Sequence, residues 1–345
     1  MKKVIALALT LALGLSLVAC APKAKEPEVV APTFKTGVGT VTTVKPVDAT
    51  ADKDGSFQVN TTIVVATFDQ DGKVVSATLD TAQQTAKVTS KGAVNGEIDL
   101  RTKVEKGADY GMVGSSAIKK ELDAQYKALT DWMVGKTVAE ITGMKTMDKG
   151  DGNHTAVPDI EDLKASVTIT VGDCLAAVQK AFDNAIETKG AVAKTGLGTV
   201  ISAKPVDATA DKNGSVQITT TIVGASFDAE GKVVAAIIDA AQQAGKFTAK
   251  GVFEGEVDLR TKVEKGPDYG MLESSGIKKE VNEQYKALGD WMAGKTVAEI
   301  TGMKTMDRGD GAHTKVPDVE DLKASVTITV GEYLDALVKA EANAK

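Results

Sequence analysis

Two runs rich in β-branched residues open the informative part of the chain, SFQVNTTIVVATF at 56–68 and KVVSATLD at 73–80, on either side of DQDG. That arrangement predicts a β-hairpin, with Gly72 supplying the positive φ of the turn. The pattern then changes period. In SSAIKKELDAQYKALTDWM the residues Ile118, Leu122, Gln125, Leu129 and Trp132 recur at helical spacing and predict an amphipathic helix. Thr137 and Glu140 in TVAE form a capping-box pattern, which predicts a second, short helix. A last helix is predicted in VTITVGDCLAAVQKAF, where Thr170 and Asp173 stand in the relation of a cap and Leu175, Val178 and Phe182 continue as an apolar face. Strands followed by helices point to an α+β fold.

The whole pattern occurs twice. Displaced by 159 residues, TGVGTVTTVKPVDATADKDGS falls over TGLGTVISAKPVDATADKNGS, and the register holds without a gap to the end. From Thr146 to Gly172 and from Thr305 to Gly331, 23 of 27 positions are identical, and DLKASVTITVG is repeated letter for letter. A period this long predicts two whole domains in tandem rather than solenoid repeats, with boundaries at 36–189 and 190–345.

Ahead of them, Lys2 and Lys3 precede an apolar run from Val4 to Ala19 and a cysteine, which reads as a secretory signal over 1–19. LVAC resembles a bacterial lipobox, which implies cleavage before Cys20, lipidation of that cysteine, and anchoring on the outer face of the cytoplasmic membrane. The Pro- and Ala-rich segment 20–35 then serves as a flexible tether. The net charge of −6 becomes −8 once Lys2 and Lys3 leave with the signal. An acidic chain without a Lys/Arg cluster argues against nucleic acid and against electrostatic attachment to lipid. With Cys20 lipidated only Cys174 remains, so neither an intrachain disulfide nor a cysteine metal site is expected, and Cys174 is Tyr333 in the second copy.

In the extended piece before the last helix, Val167, Ile169 and Val171 are expected to point one way and Thr168 and Thr170 the other. The Thr168 hydroxyl is thus expected to face outward near a helix N-terminus, where a phosphate is favoured. DLKASVT resembles the modification site of bacterial FMN-binding domains, in which an Asp lies six residues before a Thr that carries FMN through a phosphodiester bond. Asp162 and Thr168, and Asp321 and Thr327, keep that spacing; Ala-Ser-Val stands where the commoner pattern has Ser/Thr-Gly-Ala. The order RTKVEKG, DYGM, Trp-bearing helix, GKTVAEI and HTAVPDIEDLKASVTI is similar to that of two-domain flavinylated lipoproteins of Gram-positive bacteria.

The resemblance implies two covalent FMN groups per chain, placed by a Mg-dependent ApbE-type flavin transferase. It also implies electron transfer from a membrane quinone pool and its NADH dehydrogenase to extracellular acceptors, with no catalytic residues of the chain's own. Threonine is a weak nucleophile, so attachment calls for such a dedicated enzyme. In each copy Tyr110 and Met112, or Tyr269 and Met271, in the DYGM loops are the preferred neighbours of the isoalloxazine ring. His154 and His313 are loop candidates near the flavin, and one histidine per copy is too few for a metal site. Trp132 and Trp291 are expected to pack in the core. No Walker loop, Rossmann fingerprint or serine elbow is present. A cofactor-free surface lipoprotein for solute binding or adhesion fits the anchor, tether and repeat equally well.

Overall fold

Three long strands, β1 (Lys35–Val47), β2 (Gly55–Phe68) and β3 (Val74–Val88), form an antiparallel meander in a computed structural model that describes residues 33–345. The signal, Cys20 and nearly all of the tether lie outside the described residues. At the β2–β3 turn the Asp69 carboxylate accepts the N–H groups of Asp71 and Lys73, each at 2.9 Å, and Gly72 takes φ 74°, as the hairpin requires. The strands are followed by helices, chiefly α1 (Leu122–Met133) and α2 (Gly172–Asp183). The same order returns as β4 (Lys194–Val206), β5 (Gly214–Phe227), β6 (Val233–Phe247), α3 (Val281–Met292) and α4 (Gly331–Ala342). The architecture is mixed, with antiparallel sheets and helices, compatible with the α+β class. The first helix begins at Leu122, so Ile118 lies outside it, while the Thr137–Glu140 capping box forms as its sequence predicts.

The helices cover only one part of each sheet, and this decides where a site can lie. In β2, Val64, Ala66 and Phe68 pack beneath Leu129, Met133, Ala177 and Val178 of α1 and α2. The intervening residues Ile63 and Val65 face the other sheet, against Leu197, Ile222 and Ala241. Both faces of this end of β2 are therefore buried, and the strand reads as a continuous buried run from Thr61 to Phe68. Toward its start, Ser56, Gln58 and Asn60 are only half covered on the helix side, which leaves an open stretch of sheet.

The two sheets pack face to face. Phe57, Val59 and Val88 share a core with Ile201, Val216, Ile218 and Phe247. Between the apolar zones, the hydroxyls of Thr36, Thr67, Thr195 and Ser226 bond one another at 2.6–3.2 Å, so none is buried unpaired. Contacts across the junction come in exchanged pairs. Ala49 N–H donates to Gly251 O at 3.0 Å and Ala208 N–H to Gly92 O at 2.8 Å. Lys180 meets Glu264 at 2.6 Å, and Lys339 meets Glu105 at 2.5 Å. The described residues thus make one compact body whose halves share a core.

Candidate functional site

Thr168 lies in the non-helical link between the one-turn helix Glu161–Lys164 and α2, and its side chain is half-buried rather than turned outward. The reason is Gln125. This glutamine sits in the first turn of α1, is 0% exposed, and accepts the Thr168 N–H at 2.9 Å while its Oε1 lies 3.3 Å from Thr168 Oγ1. Its amide nitrogen donates to Lys120 O at 3.2 Å and approaches Met112 Sδ at 3.1 Å. One side chain therefore joins the threonine to the DYGM loop. The second half repeats the arrangement: Gln284 Oε1 takes the Thr327 N–H at 2.8 Å and lies 3.3 Å from Oγ1, and its nitrogen is 3.4 Å from Met271 Sδ.

The expected alternation through the link holds for Val167 and Val171, which are buried, but the segment is not a regular strand. Thr170 does not cap α2. Its hydroxyl donates to Asn153 O at 3.0 Å instead, because Val171, the residue at the cap position, is in αR and brings no side-chain acceptor. Thr329 does the same with Ala312 O at 3.0 Å. These bonds hold the loop carrying the histidine against the threonine segment, and Lys149 Nζ adds a bond to Thr168 O at 3.2 Å.

Beside each link, the uncovered stretch of sheet forms the floor of a cavity. In the first half it measures about 470 Å³ and has Asn60 and Gln83 below, Lys103, Tyr110 and Tyr126 around it, and Ile169 and Thr170 at its edge. In the second it measures about 370 Å³, with Thr219, Gln242, Lys262, Tyr285 and Ile328 in the matching places and Met271 lining it where the first has Tyr110. Volumes of this size hold a ring-sized ligand. Asn60 Oδ1 is buried with no partner among the described residues. The Tyr110 and Tyr269 rings carry Lys103 and Lys262 ammonium groups 5.5 and 5.1 Å from their centroids. Burial lowers the affinity of Lys103 for its proton.

The other expected residues are distributed unevenly. Tyr110 lines the first cavity and Met271 the second; Met112 reaches the site through Gln125, and Tyr269 packs on the core beside Met271. His313 lines the second cavity, whereas in the first its neighbour position Asn153 does and His154 lies beyond. Both histidines bond an aspartate through Nδ1, at 2.6 Å to Asp151 and to Asp310. Backbone N–H groups and the imidazole hold both carboxyls down to about 2. Asp162 and Asp321 are exposed on their one-turn helices and line neither cavity. Trp132 and Trp291 pack at the margin of the core, half-covered, each ring under a lysine. Gln125, read from the sequence only as part of the helix stripe, and Tyr126 and Lys103, with their mates, are site residues that the sequence reading does not name as such. A polar residue at position 125 on an otherwise apolar stripe was the available signal.

Behind Tyr126 and Tyr285 lie two further carboxylates, Asp80 and Asp239. Burial is the main reason both are pushed up from 3.8 to about 6, partly offset by hydrogen bonds from Thr102 and Val104, or Thr261 and Val263. A carboxyl raised in the folded state stabilises it fully below 3.8 and loses that contribution as pH climbs through about 6. Thermal stability is therefore expected to fall between about pH 4 and pH 6, by roughly 1–3 kcal/mol per aspartate. Melting curves across this range test it, and Asp239→Asn should flatten the slope; a melting temperature that is level or rises over the window contradicts it.

Among the described residues no helix is long and apolar enough to cross a membrane, and no group of three or more His, Cys, Asp and Glu side chains gathers as metal ligands. Comparisons with protein-family models, with curated proteins and with solved structures give no match.

Proposed function

We propose that the chain is an electron carrier, not an enzyme with its own substrate, built as two tandem copies of one FMN-binding domain. Each copy bears FMN through phosphate on its threonine, Thr168 or Thr327. The observation that carries the reading is the Gln-held threonine whose next residue, Ile169 or Ile328, lines a polar, tyrosine-walled cavity, in the same place in both halves. In this reading Cys20 holds the protein by lipid on the outer face of the cytoplasmic membrane. Electrons then pass from a membrane quinone pool fed by NADH dehydrogenase to extracellular acceptors.

The residues present fit the group. Bound flavin supplies one- and two-electron redox chemistry. The chain supplies placement. Gln125 and Gln284 fix the threonine backbone and take the hydroxyl hydrogen, which leaves the oxygen lone pairs turned away from the amide. Thr168 Oγ1 would hold the FMN phosphate through a new P–O bond, the transferase breaking the pyrophosphate of FAD with release of AMP and taking the hydroxyl proton. Asp162 and Asp321, exposed and off the cavity, are available to that enzyme. Asn60, Gln83, Lys103 and Tyr110 line the surface that would receive a ring system, and a covalent bond would keep it from being lost to the medium.

Intact-mass measurement with peptide mapping, on protein co-expressed with an ApbE-type transferase, tests the proposal. Two added FMN masses on the peptides holding Thr168 and Thr327 are expected. An unmodified mass beside an active transferase would move the assignment to a cofactor-free surface protein whose cavities take solutes.

A narrower expectation concerns the glutamine. Gln125→Ala should lower loading at Thr168 by about tenfold, with Thr327 in the same chain as the internal standard. The cost to stability should be about 1–3 kcal/mol, because the Thr168 N–H loses its acceptor. Equal loading at both threonines would remove Gln125 from the placement of the hydroxyl.

A further inference from the structure

A second kind of cavity lies on the far side of Tyr285, at the junction of the two halves. It measures about 450 Å³, and its walls come from both: Val38, Ile186 and Glu187 from the first half, Ile237, Ile238 and Asp239 from the second. Three observations indicate what it would hold. The walls are mostly aliphatic, so the body of a ligand is apolar. Two buried acceptors, on Asp239 and Asn282, face it, while the Lys286 ammonium in the same wall is taken up by Asp290. Asp239 Oδ1 already takes the N–H groups of Ala240 and Val263 at 2.7 and 3.0 Å, and Thr261 bonds the carboxylate too, which with about four lone-pair sites still leaves it acceptor capacity. Asn282 Oδ1, in the same wall, is buried with no partner among the described residues. The charges around the cavity are predominantly acidic: Asp239, Glu187 and Asp290 stand against Lys286, which pairs with Asp290 at 2.6 Å, and Lys189, whose ammonium bonds Asp290 O at 3.3 Å.

From this geometry we infer that the junction cavity binds a small organic cation, a primary ammonium group on an apolar, ring-sized body, with Asp239 as its counter-ion. An ammonium brings three N–H donors and no acceptor, which complements the Asp239 carboxylate and the unpartnered Asn282 Oδ1, and an ion inside an apolar wall is tolerated only when paired. The corresponding cavity of the first half, about 370 Å³, keeps Asp80 and Lys127 in the places of Asp239 and Lys286, but Thr78 stands in place of Ile237 and the Lys345 ammonium in place of Ile186. The cation site is thus assigned to the second half alone. It is separate from the flavin reading and does not depend on it, although Tyr285 forms a wall of both cavities.

Titration calorimetry of the full chain with phenethylamine, and with 2-phenylethanol as the neutral counterpart of the same shape, tests the inference. The amine is expected to bind at least about tenfold more tightly than the alcohol at pH 7.5, as expected for an added charge-assisted bond. Its affinity should fall as pH drops through about 6, where Asp239 takes up a proton, with Glu264 the nearest further carboxylate acting on it. Asp239→Asn should abolish the preference for the amine. Because Asp239 also accepts backbone N–H groups, a second variant guards against a folding failure: Ile186→Lys, at a position 39% exposed, places a cation at the cavity and should weaken amine binding with the melting temperature unchanged. Equal affinity for amine and alcohol, or amine binding indifferent to Ile186→Lys, overturns the assignment.

Discussion

Thr168→Ala with Thr327→Ala is expected to give a folded, colourless protein with no covalent flavin, from cells in which the parent chain becomes yellow and doubly modified. The fold should survive because the threonines do little for it. In each link the bond that anchors the chain is the backbone N–H to glutamine, at 2.9 Å in the first half and 2.8 Å in the second, and alanine retains it. The hydroxyl adds only a 3.3 Å contact to the same oxygen, so each replacement should cost about 1 kcal/mol or less. Each single variant should keep one FMN, on the remaining threonine. Absorbance near the flavin band and intact mass read the result together. Double-variant protein that is still yellow after denaturation and gel filtration would show that neither threonine is the attachment point. Loss of colour together with loss of folded signal would show instead that the hydroxyls are structural.

How far this site was legible from the sequence follows from the physics of each part. The hairpin at Gly72 and the capping boxes at Thr137 and Thr296 are local: the groups that satisfy the backbone lie within four residues, so the text contains the whole interaction. The last helix was placed for the same reason, by the period of Leu175, Val178 and Phe182. Thr170 misled because the same hydroxyl that can cap a helix can also reach a carbonyl 17 residues away, and here Asn153 O takes it. Gln125 was visible as a polar residue on an apolar stripe. Its partner, 43 positions on, was not, because only the packing of α1 beside the link brings Thr168 to it. The junction was the least legible part. Strand β2 is buried on both faces only because a second sheet covers it, and no feature within one copy announces that covering.

Gly39→Val is expected to be the most damaging single substitution in the first half. In TGVGT the glycines Gly37 and Gly39 lie on the face of β1 that meets α2, and they let the helix backbone approach the strand directly. A Cβ built on Gly39 falls 1.9 Å from Ala177 O and 2.5 Å from Ala181 N; one on Gly37 falls 1.7 Å from Ala181 O. These neighbours are backbone atoms of a regular helix, which cannot rotate aside as a side-chain tip would. The helix has to lift from the sheet, and Ala177, Val178 and Ala181 then lose part of their packing. Such overpacking should cost about 3 kcal/mol or more. Gly114→Ala serves as the control, since a Cβ there meets nothing within 4 Å, and it should melt with the parent. The consequence extends to the site, because α2 follows the threonine link directly and its Asp173 and Cys174 line the first cavity. Flavin loading should therefore fall at Thr168 and persist at Thr327, where a Cβ on Gly198 would fall 1.8 Å from Ala336 O and the glycine keeps the same close approach. A Gly39→Val protein that melts with the parent would mean that α2 does not rest on β1 as described, and that the edge of the cavity is not fixed by this helix.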